Sequence, residues 1–135
     1  MMDKTFIDKL AFIEIKNKMV LVTLSRGKDT WYIPGGKREP GETDTQALSR
    51  EVQEELGVVI IADSVKLYGV FEAQAHGKPE GTVVRMTCYT ALYDGTLTPS
   101  SEIEKIDYFQ HAQKSLCSEV DMLIMDDLKE KNLID

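Results

Sequence analysis

Cysteine is nearly absent: Cys88 and Cys117 are the two in 135 residues. They form no CxxC pair and have no histidine at metal-ligand spacing, so neither a cysteine-held metal nor a disulfide framework is expected, and both read as reduced, buried thiols. Positive charge is scarce too. Lys and Arg number 16 against 23 Asp and Glu, a formal charge of −7. No broad basic face can neutralise a nucleic-acid backbone, which excludes duplex nucleic acid as a partner. Asp3 and Asp8 stand where a secretory signal needs a cationic and then an apolar run, and no stretch approaches the roughly 18 apolar residues of a membrane span. The expectation is a cytoplasmic protein that does not use a membrane. Repeats, linkers and low-complexity tracts are also missing. What remains, 42% apolar and 29% charged residues, suits one ordinary globular domain over 1–135.

The chain reads as a mixture of strands and helices. Alternation from Leu10 to Leu24 predicts a hairpin turning at Lys16-Asn17-Lys18. Trp31-Tyr32-Ile33 predicts a short strand stopped by Pro34-Gly35-Gly36, and a loop follows from Lys37 to Glu42. Thr43, with Gln46 three positions on, predicts a capped helix start, and Gly57 suits the left-handed position at its end. Between them Leu48, Val52 and Leu56 form a stripe for packing on a sheet. Further strands are expected at 58–61, 65–71, 82–92 and 103–109. An amphipathic helix is expected around Val120, Leu123, Ile124 and Leu128.

The stretch from Gly36 to Val58 reads GKREPGETDTQALSREVQEELGV. On its helix Glu51, Glu54 and Glu55 stand at i, i+3 and i+4, which brings three carboxylates together away from the Leu48 stripe. Like charges at that spacing, near the negative end of the helix dipole, destabilise a bare helix by a few tenths of a kcal/mol per pair, roughly. A hard divalent cation such as Mg²⁺, shared with a phosphorylated ligand, compensates such a cluster. Spacing alone more often marks a solvated acidic face than a cation site.

The wider stretch decides between them. Gly36, Glu42, Arg50, Glu51, Val52, Glu54, Glu55, Gly57 and Val58 fit, position for position, a glycine, five residues, a glutamate, seven residues, Arg-Glu, an aliphatic, any residue, Glu-Glu, any residue, a glycine and an aliphatic. This resembles the signature of the Nudix hydrolase family (MutT-like). The resemblance implies an α/β (α+β) fold, an α/β/α sandwich with a mixed β-sheet. It also implies pyrophosphohydrolase chemistry, with water attacking phosphorus in a nucleoside triphosphate or another small nucleoside diphosphate derivative. ADP-ribose, a nucleotide sugar and a dinucleoside polyphosphate remain alternative substrates, and a nucleotide sensor without turnover is the non-enzymatic alternative.

By the same resemblance Glu51, Glu54 and Glu55 hold Mg²⁺ or Mn²⁺, with the carbonyl of Gly35 or Gly36 as a further ligand. Glu42 and Arg50 support them, and Glu51 or Glu54 is the candidate base. Glu102, favoured over Glu104, is an extra acidic ligand from a loop. Lys37 and Arg38, beside the glycines, are candidate phosphate contacts. Arg26, Arg85, His76 and Lys78 are weaker ones. Trp31, Tyr32, Met122 and Met125 read as packing residues. A homodimer is possible by family resemblance alone.

Overall fold

The computed structural model describes residues 5–75 and 77–135; Asp3 and His76 lie outside them. Nine strands and two helices follow in the order β1 (Thr5–Phe12), β2 (Ile15–Lys16), β3 (Met19–Ser25), β4 (Gly35–Gly36), α1 (Asp44–Leu56), β5 (Val59–Ile60), β6 (Lys66–Gln74), β7 (Thr82–Thr90), β8 (Tyr93–Asp94), β9 (Ile103–Phe109) and α2 (Glu119–Glu130). One sheet has the order β4-β1-β7-β6, a second β2-β3-β9, and β5 pairs with β8. The first is mixed, because β1 runs parallel to β7 while its other pairs are antiparallel.

The expected hairpin from Leu10 to Leu24 is cut short. Only β2 and β3 pair, through Asn17 and Lys18 at positive φ, and β1 joins the other sheet. The reason lies in its two apolar faces. Leu10 and Phe12 pack into one core, whereas Ala11 belongs to the other, so β1 needs cover on both sides and not an edge position beside a short hairpin. Between the sheets the chain bends at Ile13 and Glu14, where Ile13 N–H donates to Tyr89 O at 2.8 Å and Glu14 O accepts from Leu21 N–H at 2.9 Å. Gly35 and Gly36 do not merely stop a strand; they pair with Ala11 and Leu10 as β4.

Helix α1 begins and ends where its punctuation requires. Thr43 and Gln46 form a reciprocal capping box, and Gly57 adopts φ 69° and ψ 18°. Leu48, Val52 and Leu56 are fully buried against Leu10, Phe12 and Leu21. Helix α2 covers the opposite face with Val120, Ile124, Met125 and Leu128, against Val84, Met86 and Cys88. The result is an α/β/α sandwich. Leu123 departs from the expected stripe and is exposed, because burial of Met125 turns the helix face toward positions 121, 124, 125 and 128. Both cysteines are buried and free. Among the described residues no helix is long and apolar enough to cross a membrane.

Candidate active site

The close approach of β4 to β1 sets the geometry of the cleft. A Cβ at Gly35 would lie 1.9 Å from Leu10 O, and one at Gly36 would lie 2.5 Å from the Glu51 carboxylate. At Gly35 only glycine fits, because the obstacle is backbone, and at Gly36 the lack of a side chain leaves room for the Glu51 carboxylate. The Gly35 N–H donates to Glu55 Oε1 at 3.3 Å, fixing the carboxylate beneath the glycine pair.

Glu55 is buried, Glu51 half-buried and Glu54 exposed, so the three glutamates step outward from the core. Burial, reinforced by the Glu51 charge, pushes the Glu55 carboxyl up to about 8, against the lowering effect of the Gly35 N–H. Burial also raises Glu51, opposed by the Arg50 guanidinium. Arg50 organises the outer edge: Nε donates to Glu42 Oε2 at 2.7 Å, Nη1 to Glu51 Oε1 at 2.8 Å, and Nη2 to Lys37 O at 3.0 Å. That contact holds Glu42 well below the usual carboxylate range, at about 2. No lysine or arginine occupies the last turn of α1.

A cleft of about 200 Å³ brings Gly35, Gly36, Glu55 and Glu102 together with Lys9 and Tyr32. Glu102 therefore shares this space, whereas Glu104 does not line it. Arg26 holds the Glu102 loop by donating from Nη1 to Ser101 O at 2.7 Å and from its backbone N–H to Glu102 O at 2.9 Å. The other basic candidates sit elsewhere. Arg38 is taken up by Asp44, at 2.5 Å, and Asp44 also accepts from Tyr89. Arg85 pairs with Glu72, its register partner on β6. The Lys37 side chain is exposed and lines no cleft wall. Trp31 packs on Phe109, ring centroids 5.1 Å apart, while Tyr32 lines the cleft.

The donors at the cleft are oxygen atoms, the kind a hard cation takes. Among the described residues, as placed, no group of three or more His, Cys, Asp or Glu side chains could hold a metal ion by itself. An open, oxygen-only set with a half-buried carboxylate under a bare glycine backbone suits an ion that keeps waters and takes up substrate oxygens.

Sequence reasoning passed over two neighbours. Lys9 lines the cleft from β1, and its signal was the alternation Ile7-Lys9-Ala11, a charge on an apolar face. Asp121 is fully buried on α2, where its Oδ2 accepts from Ser118 Oγ at 2.8 Å and from Ile33 N–H at 3.2 Å, while its Oδ1 lacks a partner among the described residues. Its signal was an aspartate four before Met125 and seven before Leu128.

An α/β/α sandwich with a carboxylate cleft under a glycine pair defines a class found in known proteins. The NUDIX domain family model matches residues 10–122; the chain belongs to the Nudix family. It is 46% identical over 48 residues to the 8-oxo-dGDP phosphatase NUDT18 of Mus musculus, covering 36% of this chain and 14% of that protein. It is 38% identical over 81 residues to the human diphosphoinositol polyphosphate phosphohydrolase 3-alpha, covering 60% and 48%. The chain thus spans less than half the length of either curated relative. The fold matches the MutT protein of Methanosarcina mazei Go1 with a TM-score of 0.74 at 16% identity, covering 98% and 99% of the two chains.

Proposed function

We propose that this chain is a divalent-cation-dependent pyrophosphohydrolase that cleaves the diphosphate linkage of a nucleoside triphosphate or related nucleoside diphosphate derivative. The observation that carries this reading is the placement of Glu55 and Glu51 directly beneath the Gly35–Gly36 backbone. The names of the two relatives support it, since both describe cleavage of a diphosphate-bearing molecule.

Glu51, Glu54 and Glu55, with a carbonyl of Gly35 or Gly36 and Glu102 from its loop, would hold Mg²⁺ or Mn²⁺. Such ions, when bound, neutralise diphosphate oxygens and lower the pKa of water. The chain's own residues do the rest. Arg50 fixes the Glu51 carboxylate and the Glu42 strut, so the acidic wall is oriented before substrate arrives. Water adds to phosphorus, the bridging P–O bond breaks with its electron pair leaving on the departing phosphate, and Glu51 or Glu54 takes the water's proton.

Nucleotides are favoured over inositol polyphosphates because Arg38, Arg50 and Arg85 are each held by carboxylates, leaving no guanidinium cluster for a heavily phosphorylated ring. The test is release of phosphate or pyrophosphate from nucleoside triphosphates, nucleotide sugars, ADP-ribose, dinucleoside polyphosphates and a diphosphoinositol polyphosphate, each with Mg²⁺, Mn²⁺ or EDTA. Cation-dependent turnover of a nucleotide is expected. Turnover of the inositol compound alone would overturn the substrate class, and silence throughout would overturn the enzymatic reading.

A further inference from the structure

From Ile7 to Ala11 on β1 and from Val84 to Cys88 on β7 the inner face is apolar save at one position. In register, Ile7, Lys9 and Ala11 lie opposite Val84, Met86 and Cys88, and all of these but Lys9 belong to or pack against the α2-side core. A charge on such a face is a local inconsistency of the kind that marks function. Lys9 is half-buried. Its neighbour Asp8 points to the other face, toward Arg85 at 3.7 Å, and Lys9 has no ion-pair partner within 4.0 Å among the described residues.

Lys9 stands between two cavities. The cleft of about 200 Å³ holds the carboxylates, and a smaller cavity of about 80 Å³ extends toward α2; Lys9, Tyr32 and Met86 line both. The polar lining of the smaller cavity is partly committed. Gln74 is satisfied at both ends, Nε2 donating to Pro79 O at 2.9 Å and Oε1 accepting from Gly81 N–H at 3.3 Å. The Ser118 proton is committed to Asp121, whose Oδ1 lacks a partner among the described residues and whose carboxyl feels the Lys9 charge. Lys9 and Lys78 bring ammonium groups to the lining, and Tyr32 and Ser118 bring hydroxyls that can accept. An ammonium donates and never accepts.

We infer that Lys9 is a specificity-determining residue that donates to the exocyclic oxygen at C6 of a purine or C4 of a pyrimidine, so that the cleft selects bases with oxo at that position (hypoxanthine, guanine, uracil) over those with amino there (adenine, cytosine). This rests on the diphosphate reading above, which places the phosphates at the carboxylates and leaves the base for the cavity beyond. An amino group offered to an ammonium leaves two donors facing each other unpaired, a mismatch that a hydrogen-bonding site rejects strongly.

Binding of nucleoside monophosphates in the presence of Mg²⁺ separates this inference from turnover, because they carry no diphosphate linkage to cleave. IMP and AMP differ in the oxo and amino edge, as do UMP and CMP, and their dissociation constants are to be measured by titration calorimetry. In the wild type each oxo nucleotide is expected to bind about ten-fold tighter than its amino partner, the discrimination of one good hydrogen bond to a charged donor. Lys9→Met should reduce the ratio to about two-fold or less by weakening the oxo ligand, and Lys9→Arg, which keeps donors, should preserve much of it. Equal affinities in the wild type, a ratio unchanged in Lys9→Met, or no binding of any of the four would overturn the assignment. Cation-dependent hydrolysis would then still stand, because it does not depend on the base.

Discussion

Two adjacent glycines perform different tasks, and substitution separates them. At Gly35 an added methyl meets the Leu10 carbonyl, which is backbone and cannot yield. Gly35→Ala is expected to destabilise the protein by about 3 kcal/mol or more, read from urea unfolding. At Gly36 the obstacle is the end of the Glu51 side chain, which can swing away. Gly36→Ala should therefore keep most of its stability yet lose about ten-fold to a hundred-fold in kcat, because the displaced carboxylate no longer sits where the chemistry needs it. Equal loss of stability in both variants would contradict this division of roles. The position of the three glutamates on one helix was legible because helical spacing is a local property and the signature is contiguous. The meeting of Glu102, Lys9 and Tyr32 with Gly35 was not, since it depends on which strands become neighbours. Arg38, a phosphate contact on position alone, is captured by Asp44, a pairing across the loop that spacing does not reveal.

Among the elements, α1 carries the carboxylates and its first turn is secured by the Thr43 box. Thr43→Ala should cost about 1 kcal/mol of stability and leave KM unchanged, as loss of a cap distant from the cleft requires. Helix α2 carries a different device. Burial pushes the Asp121 carboxyl from 3.8 up to about 7. The folded chain therefore holds that proton more tightly than the unfolded chain does. Its contribution to stability is complete below the unfolded value and is lost as pH rises through the folded one. Glu55, raised to about 8, acts in the same direction in metal-free protein, so the comparison with a variant isolates Asp121. Asp121→Asn retains an acceptor for Ser118 and Ile33 and should flatten the fall in urea midpoint between about pH 4 and pH 7; an unchanged slope would contradict the buried titration. Helix boundaries and caps were legible from the residues beside them. The pairing of β1 was not, because a strand apolar on both faces looks the same whether its partner is the next strand or one seventy residues on.

Over the whole molecule, a chain with a formal charge of −7 repels phosphates at long range, and two of its acidic side chains, Glu55 and Glu102, line the cleft itself. On the proposed reading, cations would reverse the sign where it matters, being the largest local charge in such a site. An acidic protein would then act on an anionic substrate only with those cations held by Glu51, Glu54 and Glu55. The most direct measurement is turnover of a nucleoside triphosphate against free Mg²⁺ for the wild type and for Glu55→Gln, with circular dichroism to establish that both are folded. The wild type should be silent in EDTA and activated by Mg²⁺, and the variant should fall by about a hundred-fold or more in kcat at saturating Mg²⁺, as loss of charge stabilisation at the reacting phosphate demands. Wild-type turnover in EDTA, or near-normal kcat in folded Glu55→Gln, would contradict the assignment of the cation site.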